Sequence, residues 1–161
     1  MPDSQKESAF LFECAGEDLV GILHTTERAA SVGVLIVTGG PQYRVGSHRQ
    51  FVLLARDLAG RGVPVMRFDY RGMGDSSGVP QSFDRVDDDL QAAIDAMFAR
   101  VSSLEKVVIW GLCDAASAAM IYGWRDDRVG GLVLANPWAR TEAGEAKALI
   151  KHYYLRRLFS A

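Results

Sequence analysis

Short apolar runs alternate with helical patterns along most of the chain. The run 32–37 (VGVLIV) is apolar throughout, which is typical of a strand buried on both faces of a parallel sheet. Apolar residues at positions i, i+3, i+4 and i+7 predict the helices between such runs. The predicted strands cover 32–37, 63–68, 106–110 and 129–134, and the predicted helices cover 51–58, 86–97 and 114–124. This alternation indicates a mostly parallel α/β sheet with helices on both faces, a three-layer arrangement.

The two ends of the chain follow a different pattern. Apolar runs at 10–14 and 19–24 flank Ala15-Gly16-Glu17-Asp18, which predicts an antiparallel hairpin at one edge of the sheet. Residues 142–159 read as an amphipathic helix that begins acidic and ends basic, as the helix dipole favours. We therefore expect residues 1–138 to form the core of the domain and 139–161 to begin a cap or a helical extension, with the sheet truncated after the sixth strand.

Composition and charge exclude several classes of protein. A chain of 161 residues fits one domain, and a net charge of −2 gives no reason to expect nucleic acid or an anionic membrane as partner. No run approaches the roughly 18 apolar residues of a membrane span, and the N-terminus has no signal-peptide core. The two cysteines form neither a metal-binding spacing nor a disulfide framework, so we expect a cytoplasmic protein with reduced thiols and without metal or cofactor.

The pentapeptide Gly111-Leu112-Cys113-Asp114-Ala115 lies between a predicted strand and a predicted helix. It fits the pattern G-x-S-x-G of a strained strand-to-helix turn that exposes a nucleophile, with Cys for Ser and Ala for the second Gly. A thiol at a helix N-terminus is also favoured as thiolate by the helix dipole. The alternative is that Cys113 is a small buried residue at a strand end, as cysteines often are.

The loop Thr38-Gly39-Gly40-Pro41-Gln42 follows the first parallel strand. In this architecture an oxyanion hole takes one N–H from the residue after the nucleophile, here Asp114, and one from this loop. Gly40 is the better second donor and Gln42 the next, because proline has no N–H. The alternative is a tight turn that needs a glycine at positive φ.

Basic and acidic residues surround these two motifs. Arg44 and His48 are candidates to bind an anionic group of a substrate at the amino end of a helix, or they belong to a solvated loop. The glycine-rich loop 71–78 is interpreted as a structural rim in which Asp69 and Arg71 pair. The aspartates at 87–89 are interpreted as the exposed, dipole-favoured start of a helix, which Ser82 or Asp84 could cap.

Together these segments resemble the N-terminal part of an α/β-hydrolase. More narrowly, VLIVTGGPQYRVGSHRQ, VPVMRFDYRGMGDSSG, WGLCDAAS and LVLANPWARTEAGEAKALIKHYYLRRL resemble the hydrolases associated with the exosortase A system, of the type called hydrolase 1. The resemblance implies an α/β-hydrolase sheet, a hydrolase acting on a small acyl or ester-like substrate through Cys113, and a link to exopolysaccharide and protein-sorting functions.

The chain departs from this family in its histidines. The α/β-hydrolase order places the acid and then the histidine after the nucleophile, but the only later histidine is His152, inside the predicted C-terminal helix. The usual acid and base are therefore missing, unless His48 or His152 approaches the thiol. A catalytically silent fragment, or a binding or assembly module, is the alternative function. Asn136 follows the last predicted strand, and its position alone makes it a candidate to orient a base.

The predicted last strand has a consequence for assembly. If the sheet ends at 129–134, that strand is a long, apolar, unpaired edge, which favours pairing with another chain. We therefore expect self-association through this edge.

Overall fold

A mixed sheet forms the centre of the computed structural model, which describes residues 6–26, 28–40 and 42–137. Its strands within these residues are β1 (Lys6–Cys14), β2 (Glu17–Thr25), β3 (Val32–Val37), β4 (Val65–Phe68), β5 (Lys106–Leu112) and β6 (Val129–Ala135). They are arranged in the order β1-β2-β4-β3-β5-β6. Strand β2 is antiparallel to both β1 and β4, and the pairs β4–β3, β3–β5 and β5–β6 are parallel. The predicted sheet with an antiparallel hairpin at its edge is confirmed.

Helices cover both faces of the parallel strands. Helix α1 (Gln50–Gly60) packs Phe51 and Ala55 against Ile36 on one face. Helices α2 (Asp87–Arg100) and α3 (Asp114–Tyr122) pack on the other face, against a cluster that contains Leu35. Successive side chains of a strand point to opposite faces, so an uninterrupted apolar run such as β3 is required where both faces are buried. The result is the predicted three-layer arrangement.

The observed element boundaries differ from the predicted ones by a few residues. The hairpin turn is formed by Ala15 and Gly16 alone, with φ angles of 53° and 81°, which matches the twist of the flanking strands. Strand β4 begins at Val65, because Pro64 has no N–H for the strand ladder. A short 3₁₀ turn, Phe83–Arg85, precedes α2, and neither Ser82 nor Val86 caps a helix through its side chain.

The far edge of the sheet is strand β6. Among the described residues it pairs only with β5, and its Leu132 and Val133 are 37% and 47% exposed. Self-association through this edge stays a prediction, and the helix predicted over 142–159 lies outside the described residues. No helix in the described part of the chain is long and apolar enough to cross a membrane.

Two buried carboxylates hold the loop that follows β4. Asp69 accepts the backbone N–H of Arg44 at 2.7 Å and pairs with the Arg44 guanidinium. Asp89 is also fully buried, and it accepts both the backbone N–H of Arg71 at 2.8 Å and the Arg71 guanidinium at 2.7 Å. The interpretation that Asp69 pairs with Arg71 is therefore wrong, and Asp89 lies in the interior rather than at an exposed helix start.

A second buried polar cluster joins the hairpin to β4. The side chain of His24 is 1% exposed, and its Nε2 accepts a hydrogen bond from Arg67 Nε at 3.0 Å. Arg67 also donates to Glu7 at 3.0 Å. Burial, together with the Arg67 charge, lowers the pKa of His24 to about 4 from 6.5. His24 is therefore a neutral acceptor in the folded protein at pH 7.

The low pKa of His24 makes stability depend on pH. Between pH 6.5 and 4 the unfolded chain takes up a proton at His24 that the folded chain does not. His24 should therefore lower the free energy of unfolding as the pH falls through this window, by about 3 kcal/mol at pH 4. Above pH 7 His24 is neutral in both states and should not affect the free energy of unfolding. In urea unfolding at several pH values, the His24→Gln variant, whose amide oxygen still accepts from Arg67, should lose this part of the pH dependence.

The matched control for His24→Gln is His48→Gln, the same replacement at an exposed histidine, and the change in pH dependence should be larger in His24→Gln. An identical pH dependence in the wild type and His24→Gln would contradict the assignment.

Candidate functional site

The turn from β5 into α3 is built around Cys113. This residue has φ 54° and ψ −117°, a conformation that residues with a side chain rarely adopt. A Cβ atom on Gly111 would lie 2.6 Å from the carbonyl oxygen of Ala115, so the turn closes only without a side chain at position 111. The glycine two residues before Cys113 is therefore explained by steric contact with the backbone of α3.

Backbone hydrogen bonds hold Cys113 on both sides. Its N–H donates to the carbonyl of Ala135 at the end of β6, at 2.9 Å, and its own carbonyl accepts from the N–H of Ala116 at 3.0 Å. Its side chain is half-buried, whereas the other cysteine, Cys14, is buried in the core. The amide Nδ2 of Asn136 lies 3.7 Å from the Cys113 sulfur, in hydrogen-bonding geometry.

The loop after β3 passes over the same turn. Val37 of β3 is in register with Gly111 of β5, so the loops that follow these strands are neighbours. A Cβ on Gly39 would lie 2.4 Å from the carbonyl oxygen of Leu112 and 2.8 Å from the nitrogen of Ala115. This close approach brings Gly40, at φ 57°, next to the first turn of α3. The predicted oxyanion residues Gly40 and Asp114 thus lie together.

Beside this turn is a pocket of about 310 Å³, a size at the lower end for small-molecule sites. Its walls combine backbone of the two loops with apolar side chains and a few polar ones. The lining residues are Gly39, Gly40, Tyr70, Met73, Gln81, Ser82, Phe83, Val86, Asp114 and Ala115. The pocket therefore begins at the residue that follows Cys113 and extends towards the loop after β4.

Three other predicted residues lie in the segment that follows the loop after β3. The guanidinium of Arg44 is bound to Asp69 and, at 2.8 Å, to Asp75, so two carboxylates already neutralise its charge. His48 is exposed, in the 3₁₀ turn that precedes α1. Gln42 is half-buried, and its Oε1 is buried without a hydrogen-bond partner among the described residues. The predicted binding roles of Arg44 and His48 and the alternative donor role of Gln42 stay predictions.

Among the described residues, no basic side chain forms a hydrogen bond with the Cys113 thiol. His24 is bound to Arg67, His48 is exposed, and neither forms a hydrogen bond with Cys113. His152 lies outside the described part of the chain. The Asn136 side chain that does contact the sulfur is an amide, which donates a hydrogen bond and has no basic nitrogen. Nor does any group of three or more His, Cys, Asp or Glu side chains among residues 6–26, 28–40 and 42–137 form a metal site.

Tyr70 is a pocket residue that the sequence analysis missed. It lies two residues beyond β4, at the same edge of the sheet as Cys113, and its hydroxyl is buried without a partner in the described residues. The signal available in the sequence was a large aromatic residue directly after a buried strand. The sequence does not show that this residue lines a pocket.

Comparison with protein families supports the fold at this point. The family model described as "Serine aminopeptidase, S33" matches residues 33–160. The chain belongs to this family. Cys113 and the strand-to-helix turn that it occupies lie within the matched residues. The matched residues include β4, β5 and β6 and all of β3 but its first residue. The match confirms the predicted α/β-hydrolase relationship. No curated protein matches the chain.

Solved structures share the fold at low sequence identity. The Pyrococcus furiosus esterase Pf2001 has a TM-score of 0.76 at 17% identity, over 95% of this chain and 60% of its own. GrgF, an α/β hydrolase from Penicillium sp. sh18, has a TM-score of 0.74 at 18% identity, over 95% and 54%. Est1E from Butyrivibrio proteoclasticus, with ferulic acid bound, has a TM-score of 0.69 at 19% identity, over 80% and 53%. The chain thus spans only about half to three fifths of the length of these proteins.

The strain at Cys113 can be measured by substitution. Glycine adopts positive φ without steric cost, whereas another residue held in such a conformation costs about 1–3 kcal/mol. After allowing for the greater unfolded-state entropy of glycine, Cys113→Gly should be more stable than Cys113→Ala by about 1 kcal/mol in urea unfolding.

The control pair for this comparison is Cys14→Gly and Cys14→Ala, at the end of a regular strand. There glycine should be the less stable of the two. If alanine were the more stable replacement at Cys113 as well, Cys113 would not be strained.

Proposed function

We propose that this chain performs acyl transfer on a small ester or thioester, with Cys113 as the nucleophile at a nucleophile elbow. The observation that carries the proposal is the positive-φ turn at Cys113, which sets a half-buried sulfur between the end of β5 and the start of α3. Strained backbone conformations of this kind cluster at functional sites. The family match and the esterases of similar fold support hydrolase chemistry in general.

In the proposed step the sulfur of Cys113 attacks the carbonyl carbon of the acyl group. A carbon–sulfur bond forms, the bond to the leaving oxygen or sulfur breaks, and the leaving group departs with the bonding electron pair. The thiol proton passes to solvent. Hydrolysis of the resulting thioester by water completes the turnover.

Negative charge on the carbonyl oxygen is stabilised in this proposal by two backbone amides. These are the N–H groups of Asp114, the first residue of α3, and of Gly40, with Gln42 as the alternative second donor. The packing of Gly39 against Leu112 and Ala115 supports the pairing, because it holds the two loops in contact. The amino end of α3 adds its positive dipole at the same place.

A binding or assembly module without turnover is the second candidate function. It is favoured by one observation, that neither described histidine contacts the thiol. The narrower assignment to the hydrolases of the exosortase A system rests on the sequence resemblance, as does the small acyl substrate. A cytoplasmic location is proposed on the lack of a signal-peptide core and of a cysteine framework in the sequence. Self-association through β6 is proposed on its exposed Leu132 and Val133.

The nucleophile is tested by acylation of the full chain with p-nitrophenyl acetate, followed by intact mass spectrometry. Wild-type protein should gain the mass of one acetyl group, and Cys113→Ala should react at least about a hundredfold more slowly, since the only half-buried thiol is gone. Cys14→Ala is the matched control and should react like the wild type. Burial raises the pKa of the Cys14 thiol to about 11, so little thiolate is present there at pH 7.

The outcomes separate the two candidate functions. Acylation of Cys113 followed by release of acetate supports the hydrolase, and acylation without release supports a nucleophile that lacks its base. Equal labelling of the wild type and Cys113→Ala, or no labelling with any activated ester, would leave the binding module as the function.

A further inference from the structure

The side-chain amide of Asn136 contacts the sulfur of Cys113. Its Nδ2 lies 3.7 Å from the sulfur in hydrogen-bonding geometry, although the two residues are 23 positions apart in the chain. Strand pairing produces this approach, because Cys113 follows β5 and Asn136 follows β6, and these strands are parallel neighbours. The N–H of Cys113 also donates to the carbonyl of Ala135 at 2.9 Å. The amide is therefore held beside the sulfur by the ends of two paired strands.

The backbone of Asn136 gives a structural reason for an asparagine at this position. Its φ is 51°, close to the 54° of Cys113. Asparagine and aspartate adopt positive φ more readily than other residues with a side chain, and glycine adopts it without steric cost. A residue that served the turn alone could therefore be replaced by glycine or aspartate. A residue that served the sulfur could not.

The chemistry of the contact favours one form of the sulfur. A side-chain NH₂ group is a hydrogen-bond donor, and a neutral thiol is only a weak acceptor. A thiolate carries a full negative charge, so the same N–H group stabilises it more strongly and increases its share at a given pH. Asn136 is exposed, and water weakens the interaction. We therefore expect an effect of severalfold.

Few titratable groups surround this sulfur on the neighbouring elements. The last three residues of β5 and residues 134–136 carry no titratable side chain, and neither do residues 38–40 of the loop after β3. Helix α3 contributes Asp114, whose carboxylate opposes a negative sulfur, and its own amino end, whose dipole favours one. Both contributions stay the same when Asn136 is replaced, so substitution at this position isolates the amide.

We infer that Asn136 is a positioning residue for the nucleophile, whose amide donates a hydrogen bond to the Cys113 sulfur and stabilises the thiolate. This inference rests on the proposed function, because it takes Cys113 as the attacking group. The S–H bond breaks, its proton passes to water, and the electron pair remains on the sulfur. Asn136 accepts no proton, so it supplies part of the activation that a basic side chain would give and leaves proton removal to solvent.

The experiment measures alkylation of Cys113 by iodoacetamide at pH 6.5 and pH 9.5. The thiolate displaces iodide, and mass spectrometry of the peptide that contains Cys113 gives the rate. The ratio of the two rates reports the thiolate share at the lower pH and cancels changes in access to the sulfur. In Asn136→Gly, which keeps the positive φ, this ratio should fall about fivefold. In Asn136→Asp it should fall further, because a carboxylate opposes the thiolate.

Val133→Ala is the matched control, since it truncates an exposed side chain in the same strand. It should keep the wild-type ratio even if the strand is less stable in urea unfolding, because loss of stability changes both rates together. A wild-type ratio in Asn136→Gly would show that the asparagine serves only the turn. A higher ratio in Asn136→Gly would show that the amide oxygen faces the sulfur. Either result overturns the inference.

A parallel arm with p-nitrophenyl acetate separates this inference from the proposed function. If the ratio of alkylation rates falls in Asn136→Gly while the wild type is never acylated, the role of Asn136 stands and only the proposed function fails. If the wild type is acylated at Cys113 and both the alkylation and the acylation ratios are unchanged in Asn136→Gly, the proposed function stands and the role of Asn136 fails.

Discussion

The absence of side-chain bulk at Gly111 and Gly39 is the constraint on which the site depends. Gly111 lets the chain turn back on Ala115, and Gly39 lets the loop after β3 lie against the same turn. These contacts place Cys113 at positive φ and bring the amides of two different loops to one edge of the sheet. A single methyl group at either glycine would collide with backbone atoms, which cannot move away as the end of a flexible side chain can.

Two buried carboxylates hold the loop after β4, which forms one side of the pocket. Asp69 and Asp89 each bind a backbone N–H and a guanidinium, so the chain after β4 is held at both Arg44 and Arg71. Buried ion pairs of this kind contribute little net stability compared with apolar packing, but breaking one leaves a costly unpaired charge. Their effect here is positional, because they hold the segment that carries Tyr70 and Met73 against the pocket.

Much of the fold could be predicted from the sequence, and the reason is local. Strands such as β3 are uninterrupted apolar runs, and the glycine two residues before Cys113 is required by the neighbouring backbone of the same turn. The partners of Asp69 and Asp89 could not be predicted, since they lie 25 and 18 residues away and several arginines were available. The place of Tyr70 in the pocket wall likewise depends on how the loop after β4 is held, which the periodicity of the sequence does not indicate.

Strand β6 has a role beyond completing the sheet. The carbonyl of its last residue, Ala135, accepts the N–H of Cys113, and the next residue, Asn136, donates to the sulfur. Fraying of this strand would therefore release Cys113 from both contacts at once, while the strands at the centre of the sheet remain paired. The position of the Cys113 sulfur is thus coupled to local opening of β6, so that any contact that holds this strand in place also holds the sulfur.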